Sequence, residues 1–420
     1  MPIDYTALQN SPRLLMEAQL RPLQGDRFQP TGFADLGPAR YTAPHRRDNG
    51  DMEWVEMLLL ESAQSVANRM ELACCQEDKR TLLTELDGLP YVRSTHKGEV
   101  LTTSYLEAHR LSSPYLLNDE WAKTLATELN LRDDFPLNDQ KIFRAFFKFD
   151  PCCLLHGVWL SLEQYKKVFS GGRVRVTRTL SGFIEARNVR AAENGGTKFD
   201  KNAARTEEEA NAKTGYGTLP FHRTEFTAES ITAYFNLDLA LLRGYRLEEE
   251  ATKLLIALAL LKIQRFLSTG LKLRTACNLQ MLDGLAVKTP TAFVVPQESE
   301  LLTECRQLIR SCGDKGLFAR PCVTEFQYQP KKADGVQVPL PPETAEPQIP
   351  EELQKSIRWK KGTKKKAPAL EFVQGLDPAI AQKAKGLFSD NQPVQDAIDK
   401  ALTEKSEQEE PPPGEAEENE

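Results

Sequence analysis

The chain changes character at about Tyr328, and that change bounds what can fold. Before it, apolar groups recur with strand and helix patterning. After it come a proline-rich stretch (330–350), the run KSIRWKKGTKKK (355–366) with seven basic residues and no acid, and the closing EQEEPPPGEAEENE. A Pro-rich stretch reads as a linker. A charged end with few apolar groups cannot bury enough surface to order itself. The expected layout is a folded body over 1–330, a Pro-rich and basic linker over 331–370, a short helical segment over 371–405 and an acidic, disordered tail over 406–420. Charge follows the same division. The net charge is −6, and Asn391 to Glu420 hold ten acids against two lysines, which leaves the rest at +2. A near-neutral body with basic patches permits a nucleic-acid partner without requiring one.

Within the body, strand-like and helix-like segments interleave, which places the fold in the α+β or α/β class. Residues 13–23 read as a strand and 24–50 as a long loop. Residues 56–75 read as a helix, with Leu59, Ala63, Val66, Met70 and Ala73 at helical spacing. A short helix is expected over 119–131 and a strand over FRAFFKFD (143–150). Gly171-Gly172 read as a hairpin turn, followed by the β-like RVRVTRTL. Residues 191–214 are polar and read as a mobile insertion. Residues 230–242 fit helix or buried strand. Residues 249–268 read as a helix closed by Gly270 in the C′ position, and LKLRTAC follows as a strand.

Several classes are disfavoured. The eight cysteines include the neighbours Cys74-Cys75 and Cys152-Cys153, with no CxxC and no Cys/His cluster at zinc spacing. Reduced thiols in a cytoplasmic protein are expected. The longest apolar run, LLIALALL (254–261), is far short of the roughly 20 residues that span a bilayer. No P-loop, HExxH, GxSxG or dinucleotide fingerprint is present. No catalytic residue, metal ligand or cofactor is assigned.

Four polar segments compete for a functional role. QGDRFQPTGFADLGPARY (24–41) is long for a loop and carries Phe28, Phe33, Leu36 and Tyr41, which points to an ordered loop that binds something. Its bland reading is a structural loop whose aromatics plug the core. Glu61, Gln64, Ser65 and Asn68, with Arg69 beside them, form a charge-poor polar stripe, which serves either a ligand or a neighbouring loop. RVRVTRTL puts Arg173 and Arg175 on one strand face and Arg178 on the other, with Arg187 and Arg190 close behind. This is either a solvated basic face or a phosphate track. GYGTLPFHRTEF couples Phe221, His222 and Arg223 in a Gly-marked turn, which suits stacking with phosphate contact.

Taken in order, LLMEAQLRPLQGDRFQPTGFADLGPARY, LLLESAQSVANRMELA, LDGLPYV, LSGFIEARNV, GYGTLPFHRTEFTAESITAYFNLDLALLRGY and LLIALALLKIQRFLSTGLKLRTAC resemble the backbone RAMP subunit of type I-U (I-G) CRISPR complexes, the Cas-seven-like guide-RNA-binding family. The resemblance covers about 13–325. It implies an α+β fold with a modified RRM-like (ferredoxin-like) core and finger, thumb and web insertions. It implies a non-catalytic subunit that polymerises along CRISPR RNA, holding the guide backbone so its bases pair with target DNA. The implied partners are guide RNA, target DNA through the guide, further copies of the chain, a large subunit, a guide-processing RAMP and a recruited helicase-nuclease; no membrane is involved.

The residues expected to contact guide RNA are Arg27, Gln29, Gln64, Asn68, Arg69, Arg178, Arg187, His222, Arg223 and Arg274. Arg27, Gln29, Asn68 and His222 are expected to share one groove, and 191–226 is the candidate thumb. Two alternatives stand. In related type III complexes an Asp in a backbone-subunit loop cleaves target RNA, so Asp26 keeps an RNA endonuclease open. More remotely, the loop could be the phosphate pocket of a small-molecule enzyme.

Overall fold

A computed structural model describes residues 3–33, 37–47, 49–78, 81–131, 137–165, 168–169, 173–198, 219–328, 357–360, 369–372 and 399. The chain divides into two compact units, Met1–Gln329 and Pro330–Glu420.

In the first unit, strands are β1 (Arg13–Pro22), β2 (Arg40–Arg46), β3 (Met52–Glu61), β4 (Tyr91–His96), β5 (Glu99–Thr103), β6 (Leu180–Arg187), β7 (Arg190–Lys198), β8 (Leu219–Thr227), β9 (Ser230–Asp238), β10 (Lys272–Arg274), β11 (Cys277–Thr289) and β12 (Val323–Gln327). Helices are α1 (Ala63–Leu72), α2 (Asp119–Glu128), α3 (Asp139–Phe149), α4 (Cys152–His156), α5 (Leu239–Gly244), α6 (Glu249–Thr269) and α7 (Glu298–Asp314). The main sheet runs β10-β11-β1-β9-β6-β3-β2, antiparallel at every pairing.

Alternation decides which face is inside. On β1, Leu14, Met16, Ala18 and Leu20 are buried, while Leu15, Gln19 and Arg21 are exposed. On β9, Ile231, Ala233, Phe235 and Leu237 join the same core. α6 lies under that face and is buried almost all round, from Leu254 to Leu261 without a break. This is why its sequence lacks a polar stripe. It ends at Gly270 as expected, for a different reason. Gly270 has φ −99°, an ordinary value, but a Cβ there would meet the Phe266 ring at 2.7 Å and the Phe266 carbonyl oxygen at 2.9 Å. Close approach requires the glycine; left-handed backbone does not.

Five expected elements change. The segment 56–75 is the end of a strand and then a helix. Ser62 marks the switch, its hydroxyl accepting from the Ser65 N–H at 3.4 Å as an N-cap does. Glu61 therefore closes β3 and does not belong to the helix stripe. FRAFFKFD lies in α3, where Ile142, Ala145, Phe146 and Phe149 are buried at helical spacing. The supposed loop 24–50 contains β2, paired with β3. Residues 191–198 of the polar insertion lie in β7, which pairs with β8, beyond the insertion, as a nine-residue antiparallel ribbon; residues 199–218 lie outside the described residues. RVRVTRTL is less regular than expected, with Arg175–Val176 paired to Val158–Trp159 and β6 starting at Leu180. Residues 230–242 resolve into β9 followed by α5.

In the second unit, β13 (Ile357–Lys360), within the expected linker, pairs antiparallel with β14 (Ala369–Phe372), which runs two residues beyond it. Of the expected helical segment 371–405, the described residues are Glu371 and Phe372, which are strand, and Asp399, which is helical. Among the described residues no helix is long and apolar enough to cross a membrane.

Candidate nucleic-acid interface

The loop after β1 is ordered because it is pinned at both ends and in the middle. The Leu23 N–H donates to the Asn278 carbonyl at 2.8 Å, and the Gln29 N–H donates to the Ala276 carbonyl at 2.9 Å. Between them, Phe28 and Phe226 exchange two backbone hydrogen bonds, each 2.9 Å, and both rings are buried. Phe28 thus staples the loop to the base of the ribbon. Alternation around it leaves Arg27 exposed and pointing the other way.

A cleft of about 280 Å³ opens beside this staple, lined by the loop, by Asn194 and Arg223 of the ribbon, and by Ala276 and Asn278. At its base lies Glu225, 3% exposed. Its carboxylate accepts from Asn194 Nδ2 at 2.9 Å, pairs with Arg223 Nη2 at 2.7 Å and lies 3.7 Å from Arg27 Nε. One buried carboxylate therefore aims two guanidinium groups, contributed by segments far apart in sequence, at the same cleft. The guanidinium groups keep free donors. Those open to the cleft belong to Arg27, which is 52% exposed; Nε of Arg223, like Nε of Arg69, is buried without a hydrogen-bond partner among the described residues. Asp26 also lines the cleft but makes no hydrogen bond or ion pair with a described residue, since Glu225 holds both arginines.

Arg69 and Arg274 have a different surrounding. Glu61, 2% exposed, pairs with Arg69 Nε at 3.4 Å and with Arg274 Nη2. Arg69 also donates to the Lys272 and Leu273 carbonyls. Arg274 donates to the carbonyls of Gln29 and Leu60, each at 3.1 Å. These two arginines join the loop, the end of β3, α1 and β10, and their geometry gives them a structural task.

The remaining expected contacts scatter. Gln29 is half-buried, and Gln64 and Asn68 sit on α1, none of them among the residues that line the cleft. His222 is exposed on the ribbon, with Nε2 2.6 Å from the Glu193 carboxylate. Strand alternation puts that pair on the opposite face from Arg223. The expected common groove for Arg27, Gln29, Asn68 and His222 is therefore not formed; Arg27 shares its cleft with Arg223. Arg178 is half-buried with no carboxylate partner among the described residues. Burial and the nearby Arg110 push its pKa below the usual arginine value. Arg187 ends β6 on the outer face of the main sheet.

That outer face holds residues the sequence reading passed over. Phe183 of β6 and Tyr234 of β9 stack with ring centroids 5.1 Å apart and planes 27° apart. The Tyr41 hydroxyl donates to Glu185 at 2.8 Å; burial, then Glu185, pushes its pKa up to about 12. Aromatics in the polar phase of SITAYFNLD and LSGFIEAR were the available signal. Nothing in the sequence distinguished Glu225 from other surface acids.

Residues 14–191 match the family model described as CRISPR-associated protein GSU0053. No curated protein sequence matches the chain. Among solved structures, the chain is similar to the crystal structure of Thermofilum pendens Csc2, at 11% identity and TM-score 0.28 over 74% of this chain and 80% of that one. It is also similar to a chain of a CRISPR RNA-guided surveillance complex in its pre-nicking state, at 13% identity and TM-score 0.35 over 72% of this chain and 86% of that one. Residues 14–191, a stretch that includes the stapled loop and its Arg27, thus carry the pattern of a CRISPR-associated protein family.

Proposed function

We propose that this chain is a guide-RNA-binding backbone subunit of a type I CRISPR complex, and that it holds the sugar-phosphate backbone while leaving bases free to pair with target DNA. The observation that carries this reading is the Arg27–Glu225–Arg223 arrangement. Guanidinium groups with free donors, beside a loop rich in backbone amides, are the groups that meet phosphates and ignore base identity. Gly25, at φ +63°, lets that loop turn tightly at the cleft. The strand order supports an RRM-like core. Leaving out the β2–β3 hairpin and β10, the sheet runs fourth, first, third, second strand of a βαββαβ unit (β11-β1-β9-β6) with α1 and α6 as its helices, the ferredoxin-like pattern. The β7–β8 ribbon is the thumb in this reading. Further copies of the chain, the large subunit, the guide-processing RAMP and the helicase-nuclease are its partners in the assembled complex.

The chain is read as a binder and not as a nuclease. Two-metal phosphoryl chemistry needs convergent free carboxylates. Among the described residues that line the cleft, the other carboxylate beside Asp26 is Glu225, which is held by two arginines and an amide. The test is to purify the chain from cells that also express a CRISPR array and the other subunits, then size the bound nucleic acid. RNA of one defined length is expected. Absence of RNA, or a broad mixture of cellular RNA, contradicts the proposal. Incubation of the complex with complementary RNA and Mg²⁺ addresses cleavage. Regular cuts that vanish in Asp26→Ala would favour the endonuclease.

A further inference from the structure

We infer that the cleft at Glu225 selects ribose over deoxyribose, with Asp26 as the acceptor for a 2′-hydroxyl; this rests on the guide-binding reading above. A free carboxylate is a poor choice for a site that only has to hold phosphate, because like charges repel. Here Asp26 is placed among the lining residues with Arg27 and Arg223, yet both arginines are directed to Glu225. Two acceptor oxygens therefore remain open beside two guanidinium groups. A ribose-phosphate unit matches that pair of features. Its phosphate takes the guanidinium donors, and its 2′-hydroxyl, the group that separates RNA from DNA, can donate to a carboxylate. A deoxyribose in the same pose brings the phosphate and leaves the carboxylate desolvated without a donor. Asp26 then favours RNA twice, by a hydrogen bond gained and by an uncompensated charge in the DNA complex.

The experiment compares one short single-stranded sequence in ribo, deoxy and 2′-O-methyl form, titrated against the full chain and against Asp26→Ala at one fixed salt concentration. The native chain is expected to bind the ribo form about tenfold more tightly than the deoxy form, the low end of what a hydrogen bond to a charged group contributes. The 2′-O-methyl form should follow the deoxy form, since it cannot donate. In Asp26→Ala, ribo affinity should fall while deoxy affinity holds or rises, closing the ratio. If Asp26 acts only as a negative charge, its removal raises affinity for all three forms alike and leaves the ratio unchanged; that result overturns the inference while leaving guide binding intact. A native chain that binds none of the three forms overturns the guide-binding reading and this inference with it.

Discussion

The clusters around Glu61 and Glu225 use one device for two ends. Each is a buried carboxylate with two arginines drawn from distant segments, Arg69 and Arg274 in the first, Arg27 and Arg223 in the second. They differ in what happens to the remaining guanidinium donors. Around Glu61 these donate to the carbonyls of Leu60, Gln29, Lys272 and Leu273, and the two arginine side chains are 25% and 22% exposed. Around Glu225 the pair lines a cleft, and Arg27 is 52% exposed. Main-chain carbonyls turn the first set into a joint between elements. Their absence leaves the second set available to a ligand. An arginine's role is thus fixed less by its ion pair than by what takes its other donors.

The largest break in this comparison is expected from Arg274→Ala. It strips the nearly inaccessible Glu61 of one partner and leaves two carbonyls without their donor, so it should cost about 3 kcal/mol of stability. Arg27→Ala removes a half-exposed guanidinium 3.7 Å from Glu225, which keeps Arg223 and Asn194, and should cost under about 0.5 kcal/mol. Urea unfolding of both variants decides the matter. Equal losses would show that the two clusters are the same kind of structure.

Binding should reverse the ranking. Arg27→Ala and Arg223→Ala should each weaken RNA affinity by about 1.5–3 kcal/mol, the range for a hydrogen bond to a charged group. Each should also lower the slope of log affinity against log salt by about 0.7, the value for one single-strand phosphate. An unchanged slope would remove that arginine from the phosphate track.

Glu225→Gln is smaller and sharper. The amide keeps the shape and raises the net charge of the cleft by one, which by itself attracts a polyanion. Because Glu225 orients both guanidinium groups, RNA affinity should instead fall about threefold, a fraction of the loss when a charged hydrogen bond is weakened but not removed. Tighter binding would make Glu225 a brake on affinity and not an aiming device.

A separate, pH-dependent effect concerns the core beneath the main sheet. His156 is buried, and both its ring nitrogens lack partners among the described residues. Burial first, then Lys262, Arg110 and Arg178, push its pKa well below the usual histidine value. A base depressed in the folded state binds its proton only on unfolding, so its contribution is present above the unfolded value near pH 6.5 and is lost as pH falls below it, by at most about 1.4 kcal/mol per pH unit. His156→Leu should flatten the stability profile between pH 6.5 and 5 relative to the native chain. Parallel profiles would contradict a neutral, buried His156.

Much of the framework was legible in sequence. Alternation found β1, and a long apolar segment ending in glycine found α6. The failures have physical causes. In MEWVEMLLLESAQSV the three consecutive leucines satisfy both periodicities, and only the Ser62 cap marks where strand yields to helix. In FRAFFKFD the dense aromatics hid a helical spacing that Asn138 caps, its side chain accepting from the Lys141 N–H at 3.1 Å. The candidate site was half legible. Arg27 and Arg223 stood out as loop cations near aromatics, and Asp26 beside Arg27 was noticed. Arg69 and Arg274 looked equally suitable, because their neutralisation depends on Glu61 becoming inaccessible, a property of the packed sheet. Phe28 and Phe226 explain the long loop after the first strand, and their pairing is a contact across nearly two hundred residues that no local pattern encodes.

The central claim is sequence-independent grip on the backbone of RNA. It is tested most directly by titrating the chain with several unrelated single-stranded RNAs of equal length at two salt concentrations. The account predicts affinities within about tenfold of one another, roughly 1.4 kcal/mol, falling in parallel as salt rises because each phosphate contact releases counterions. One RNA preferred by much more than tenfold, or affinities indifferent to salt, would contradict it.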